Sequence, residues 1–222
     1  MLSYIILAIA LFVSGTASSY INTWYKKTSA MKNTKGLTGK EVARKILDKN
    51  GLNHVKVEPI QGELTDHYDP RTKTVRLSEG IYDKETVAAI SVASHECGHA
   101  IQDKDGYLFL RIRSSIVPIV NLASKLGYVA IVLGIIMQML NIVKIGIFAE
   151  FIILAFQVIT LPVEFNASAR ALKKIEEYSM VTTKELSNAR SMLTSAALTY
   201  VAAVTSTLLE IMRLLYVFRS ND

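Results

Sequence analysis

From Ile116 to Val163 the sequence is apolar over almost its whole length, relieved mainly by Asn121, Lys125, Gln138, Asn141, Lys144 and Glu150. A run of this kind admits few folds. About 20 apolar residues cross the hydrocarbon of a bilayer, and inside it only a helix or a closed barrel satisfies every backbone N–H and C=O. We read the run as two passes, one centred on Tyr128 to Leu140 and one over Ile145 to Val163, joined as a membrane hairpin. The rest of the chain agrees, because half of its 222 residues are hydrophobic and its mean hydropathy of +0.30 is too high for an ordinary soluble domain.

Two further apolar segments flank this hairpin. Residues 2–23 hold the run Ile5 to Val13 and end on Trp24-Tyr25, where an aromatic belt belongs, and Lys26-Lys27 follow at once as a stop rather than as a signal-peptide cleavage site. Leu193 to Leu209 is rich in small and hydroxyl residues that permit close helix packing. The expected organisation is therefore a first transmembrane helix over 1–25, a soluble domain over 26–115, a second span over 116–144, a third over 145–163, a helical segment over 164–191 and a fourth span over 192–217. Charge sets the orientation. Lys26, Lys27, Lys32, Lys35, Lys40, Arg44 and Lys45 follow the first span with only Glu41 opposing them, so the soluble domain is expected in the cytoplasm and both termini outside. Parity returns the basic 164–191 segment to the same side. The net charge of +6 thus reports topology in a cell membrane, and no nucleic-acid partner is expected. A single cysteine, Cys97, excludes an intramolecular disulfide.

In the soluble stretch, Thr38-Gly-Lys-Glu41 is a capping box ahead of the apolar set Val42, Ala43, Ile46 and Leu47, and Gly51 closes the helix. Val55 and Val57 alternate with polar residues, and the segments Glu63 to Tyr68 and Thr74 to Ser78 flank Asp69-Pro70-Arg71-Thr72, which has type I turn chemistry. A small antiparallel sheet is expected.

The chemistry lies in His95-Glu96-Cys97-Gly98-His99, an H-E-x-x-H (HExxH) motif within a run, Asp83 to Gln102, that reads as helix. Two histidines one turn apart project from one face and can share a metal ion, for which Zn2+ is the expected occupant, while Glu96 stands beside it as a general base. A catalytic zinc takes three protein ligands and keeps one position open. Of the two glutamates flanking the third span, Glu150 starts it on the far side and Glu164 ends it on the side of the motif, so Glu164 is the expected third ligand. The fold class expected is mainly α, a multi-pass helical membrane protein with a small zincin-like α+β catalytic domain of gluzincin-like type.

Four blocks carry a resemblance: Leu64 to Arg71, Val75 to Ser78, Ser94 to Gln102 and Leu161 to Arg170. Through them the chain resembles the YugP-like family of bacterial zinc-dependent membrane proteases. The resemblance implies a neutral zinc metallopeptidase with both histidines as ligands and the glutamate between them as base. It is more distantly similar to integral-membrane proteases of the HtpX and CAAX-processing type, which also place a membrane hairpin between H-E-x-x-H and a glutamate ligand. Those enzymes carry an acidic residue four positions after that ligand, where this chain has Ser168, with Asn166 and Arg170 nearby.

The expected function is peptide-bond hydrolysis by metal-activated water, with His67 and Tyr68 as candidate transition-state or substrate contacts and the Glu63 to Tyr68 strand as an edge for an extended substrate. Expected partners are a protein or peptide substrate, membrane-associated or not, the lipid bilayer, and a regulatory protein. The alternative from another class is a catalytically inactive or regulatory membrane scaffold or assembly factor with a structural zinc, which leaves Glu96 unexplained. A transporter would need ionisable residues or broken helices at mid-membrane, and Lys125 and Glu150 stand too near the segment ends for that.

Overall fold

Thr38 starts the first helix of the soluble part as its sequence requires. The Glu41 N–H donates to the Thr38 hydroxyl and the Thr38 N–H donates to the Glu41 carboxylate at 2.9 Å, so two of the otherwise orphaned donors at a helix start are satisfied. The helix, Gly39–Lys49, buries Val42, Ala43, Ile46 and Leu47 completely. A computed structural model describes residues 1–219. Among them the elements run α1 (Leu2–Ser29), α2 (Gly39–Lys49), β1 (Lys56–Ile60), β2 (His67–Asp69), β3 (Thr74–Ser78), α3 (Val87–Lys104), α4 (Leu108–Ile136), α5 (Leu140–Glu177) and α6 (Thr183–Arg219). The protein is mainly helical with one small sheet.

The sheet is mixed, not antiparallel as expected. Its order is β1-β3-β2; β2 pairs with β3 antiparallel, with Tyr68 opposite Val75, but β1 lies parallel to β3, with Val57 opposite Val75. Alternation of apolar and polar residues reports which face is buried and carries no information about the direction of the neighbouring strand, which is where the expectation failed. The turn after β2 does have the expected chemistry, since Asp69 accepts from the Arg71 N–H at 2.9 Å and from the Thr72 hydroxyl at 3.0 Å. Strand β2 is shorter than the Glu63 to Tyr68 segment expected. Leu64 sits at φ +56°, and the Asp66 carboxylate accepts from the Ser78 N–H and hydroxyl at 2.7 and 2.9 Å, so a side chain stands in for the ladder there.

The helix α3 starts four residues later than the sequence reading, because Thr86 caps it and the segment before it is tied to the chain after α1: Asn33 donates to the Glu85 carbonyl, and Val87 to that of Met31. Nearly every residue from Val87 to Gln102 is buried, which explains its composition of alanine and serine on all faces rather than an amphipathic stripe. The chain divides into two compact units. One comprises Ser19–Leu110 and Val163–Ala197; its core joins Ile46 and Leu47 of α2, Val75 and Leu77 of β3, Ile90, Ala93 and Cys97 of α3, Ile175 of α5 and Met192 of α6. Each large aliphatic side chain buried there contributes about 1.5–3 kcal/mol by removal from water.

The other unit comprises Met1–Ser18, Arg111–Pro162 and the chain from Leu198 on. It turns apolar side chains outward, among them Phe12, Tyr128, Ile136 and Phe148. Within it α4 and α5 approach through Gly127, Gly134 and Gly146, and α1 meets α6 where the Ser14 and Ser206 hydroxyls lie 2.8 Å apart. Helices α1, α4, α5 and α6, the last counted to Val217, are each long and apolar enough to cross a membrane by length and composition. That is the architecture of a multi-pass membrane protein: outward apolar side chains meet lipid and small residues let the helices close up.

Candidate metal centre

The centre is built on α3. One helical turn separates His95 from His99, and their rings meet edge to face with centroids 4.8 Å apart. Opposite them, α5 carries Glu164, whose Oε2 lies 3.2 Å from His95 Nε2 and 3.6 Å from His99 Nε2. One ligand atom from each of the three residues lies within 4.8 Å of the other two. The structure thus brings His95, His99 and Glu164 together.

These separations test whether a metal fits. Zinc bound about 2.0–2.2 Å from nitrogen and oxygen at tetrahedral angles holds its ligand atoms about 3.4 Å apart. The two nitrogen-to-oxygen distances straddle that value, and two imidazoles with one carboxylate form a donor set that suits zinc. His99 and Glu164 are buried, so the carboxylate's charge is little screened by solvent.

Close approach of α5 to α3 depends on Gly98. A Cβ there would lie 2.6 Å from the Ala167 carbonyl oxygen, so only glycine lets α5 come near enough for Glu164 and Ser168, on either side of Ala167, to reach the histidines. The outer ring nitrogens have partners as well. His95 Nδ1 lies 3.1 Å from the Ser168 hydroxyl, and His99 Nδ1 3.0 Å from Gln102 Oε1. Second partners of this kind orient ligating imidazoles. The sequence reading did not assign Gln102, although its spacing of three from His99 puts it on the same helix face.

Glu96 is buried beside this cluster. Burial pushes its carboxyl pKa up to about 7, with the neighbouring carboxylates of Glu164 and Asp66 adding to the rise, while His95 and a hydrogen bond from the backbone of Tyr68 pull against it. Burial also raises Asp66, against the hydrogen bonds it accepts from Ser78. The Cys97 thiol is driven up by burial too, and it donates to the Ala43 carbonyl; Cys97 is packing, not a ligand.

The candidate substrate contacts His67 and Tyr68 sit on β2. His67 is opposite Arg76 in the ladder, with Nδ1 2.8 Å from the Thr65 carbonyl and Nε2 3.3 Å from Arg76. The Tyr68 hydroxyl donates to Asp103 at 2.6 Å; its pKa is raised first by burial and then by that carboxylate. Neither belongs to the three-residue cluster, and it is the Tyr68 backbone that reaches Glu96.

A family model described as "Putative neutral zinc metallopeptidase" matches residues 3–219. The chain is 44% identical over 209 residues to "Putative membrane protease YugP" of Bacillus subtilis (strain 168), covering 94% of this chain and 93% of that relative. No solved structure matches.

Proposed function

Since the chain belongs to the neutral zinc metallopeptidase family, we propose that it is a zinc-dependent membrane protease that hydrolyses peptide bonds, with His95, His99 and Glu164 as metal ligands. The observation that carries this reading is the convergence of both histidine Nε2 atoms on Glu164 Oε2 beside the buried Glu96. When bound, zinc supplies Lewis acidity toward the scissile carbonyl and lowers the pKa of water. The Glu96 carboxylate accepts the proton of the attacking water and gives it to the nitrogen of the leaving amine. Burial holds this carboxyl at about 7 without a metal, and a cation bound beside it would lower that value, favouring the carboxylate form that accepts the proton. Ser168 and Gln102 hold the ligand rings in place.

Strand β2 is the edge of its sheet on the side away from β1, and an extended peptide pairing beside it would lie next to Glu96, which the Tyr68 backbone already touches. Such recognition reads backbone more than side chains, so the substrate class is an extended segment of a protein or peptide, including membrane-associated ones. We place the centre on the cytoplasmic side of a cell membrane, from the excess of Lys and Arg after the first apolar helix. The C-terminal end, Asn221 included, lies outside the described residues.

Glu96→Gln tests the chemistry. The variant is expected to keep about one zinc per chain and to lose peptidase activity by at least about 100-fold, because it removes a base and not a ligand. Full function with Glu96→Gln would favour a scaffold with structural zinc, and loss of zinc would make Glu96 structural. For orientation, a cysteine engineered at Lys35 should resist impermeant thiol reagents in intact cells, and the buried Cys97 supplies no competing signal. Labelling from outside would reverse the topology.

A further inference from the structure

We infer that Gln102 is a positioning residue that fixes the tautomer of His99, and that its own orientation is locked by the Val163 carbonyl together with Asn166, which Arg170 orients in turn. The inference rests on His99 being a metal ligand, as proposed above. Gln102 is fully buried and its amide is committed at every polar contact. Nε2 donates to the Val163 carbonyl at 2.8 Å and to Asn166 Oδ1 at 3.0 Å, and Oε1 lies 3.0 Å from His99 Nδ1.

An amide can in general be turned over, exchanging donor for acceptor. Here it cannot. The Val163 carbonyl only accepts, so the group facing it must be the NH2. Asn166 is fixed in turn, because its Oδ1 also faces Arg170 Nε at 2.7 Å and a guanidinium only donates. Arg170 is held at its far end by Asp105, 2.6 Å from Nη1. The polarity therefore runs one way: Arg170 donates to Asn166, Gln102 donates to Asn166 and Val163, and Gln102 Oε1 is left to accept. In neutral His99 the proton must then sit on Nδ1, which leaves the Nε2 lone pair bare toward Glu164 Oε2 at 3.6 Å. In that neutral form two acceptors face each other, and a cation fits between them. His95 has no such constraint, since its Nδ1 partner is the Ser168 hydroxyl, which can donate or accept.

The test uses the full-length protein in detergent, with Zn2+ as titrant and histidine ring 15N resonances as a second readout; the chain has 4 histidines to assign. Gln102→Leu is expected to weaken zinc binding about 10–100-fold. Before metal is added it should also lose the Nδ1–H signal of His99 while that of His67, which meets the Thr65 carbonyl, is unchanged. Arg170→Met, at the outer end of the relay and easier to fold, should weaken zinc binding by a smaller factor and move the same His99 signal. A folded Gln102→Leu protein with wild-type zinc affinity and an unmoved His99 Nδ1–H signal overturns the inference, and if that variant does not fold, an unmoved signal in Arg170→Met does so. His99→Ala separates the two levels: if it binds zinc like wild type, the ligand assignment fails, whereas its loss of zinc beside an unaffected Gln102→Leu protein leaves the protease reading standing and removes only the relay.

Discussion

Helix α5 is closely packed through glycine in both of the chain's units, and the two contacts differ in what the approach delivers. In the unit with the candidate metal centre, Gly98 of α3 admits the Ala167 carbonyl, and what arrives with it is a carboxylate, a hydroxyl and the acceptors for Gln102. In the apolar unit, Gly127 admits Ala149 and Gly134 admits Val143, and what arrives is aliphatic surface. The packing device is the same, small residues that let two backbones approach. Only in the first case are the side chains around the glycine able to hold a cation, so the difference between a site and a plain helix contact lies in the residues one turn either side of the small one.

The largest expected effect breaks this comparison at its polar side. Glu164→Ala should strip zinc from the purified protein, since it leaves two ligands where a catalytic zinc takes three. Glu150→Ala should leave metal content near wild type, because Glu150 lies in the apolar unit, which contains none of the four histidines. Metal analysis of the two variants decides it. If Glu150→Ala loses the metal and Glu164→Ala keeps it, the ligand set and the hairpin parity that selected Glu164 fail together.

The closeness of Glu164 to the H-E-x-x-H motif was legible, because a count of apolar spans put the two on one side without any contact being known, and the structure brings Glu164 to His95 and His99. The capping box at Thr38 and the turn at Asp69 were legible too, as local chemistry with partners within a few residues. The parallel course of β1 was not, nor the loss of ladder at Asp66, because both depend on a neighbour distant in sequence. Gln102 was hidden for a different reason. Its spacing from His99 is visible, but a glutamine on a buried helix face has no sequence mark that separates it from packing until Val163 and Asn166 are seen to hold it.

A smaller effect sharpens the contrast between the two glycine contacts. Gly98→Ala and Gly134→Ala each place a methyl 2.6 Å from a neighbouring atom. At Gly98 that atom is a backbone oxygen, and at Gly134 the methyl meets the Val143 backbone nitrogen at 2.8 Å as well as its side chain, so α5 must give way at both. The expected cost is about 1–3 kcal/mol in stability for each variant, with zinc affinity falling only for Gly98→Ala, since the part of α5 displaced there carries Glu164, whereas the part displaced at Gly134 is the apolar stretch around Val143. Thermal unfolding in detergent, with and without added zinc, separates them. Equal loss of zinc affinity in both would mean that the apolar contact also sets the geometry of the centre.

The smallest effect concerns a part of the same unit that lies outside the His95, His99 and Glu164 cluster. Thr38→Ala removes the hydroxyl that accepts from the Glu41 N–H and that itself donates to the Glu41 carboxylate at 2.7 Å. Loss of such a cap costs about 1 kcal/mol. Helix α2 contributes the buried faces of Ile46 and Leu47 to the core that also holds Ile90 and Cys97 of α3, so the loss should appear in the unfolding transition of the whole unit. It should not appear in zinc affinity, because the rotations of His95 and His99 are set by Ser168 and Gln102 rather than by α2. A Thr38→Ala protein that unfolds earlier yet titrates with Zn2+ like wild type would show that stability and ligand geometry are separable within this unit. If its zinc affinity drops as far as that of Gly98→Ala, packing of α2 against α3 also sets the metal centre, and the distinction between polar positioning and plain packing does not hold there.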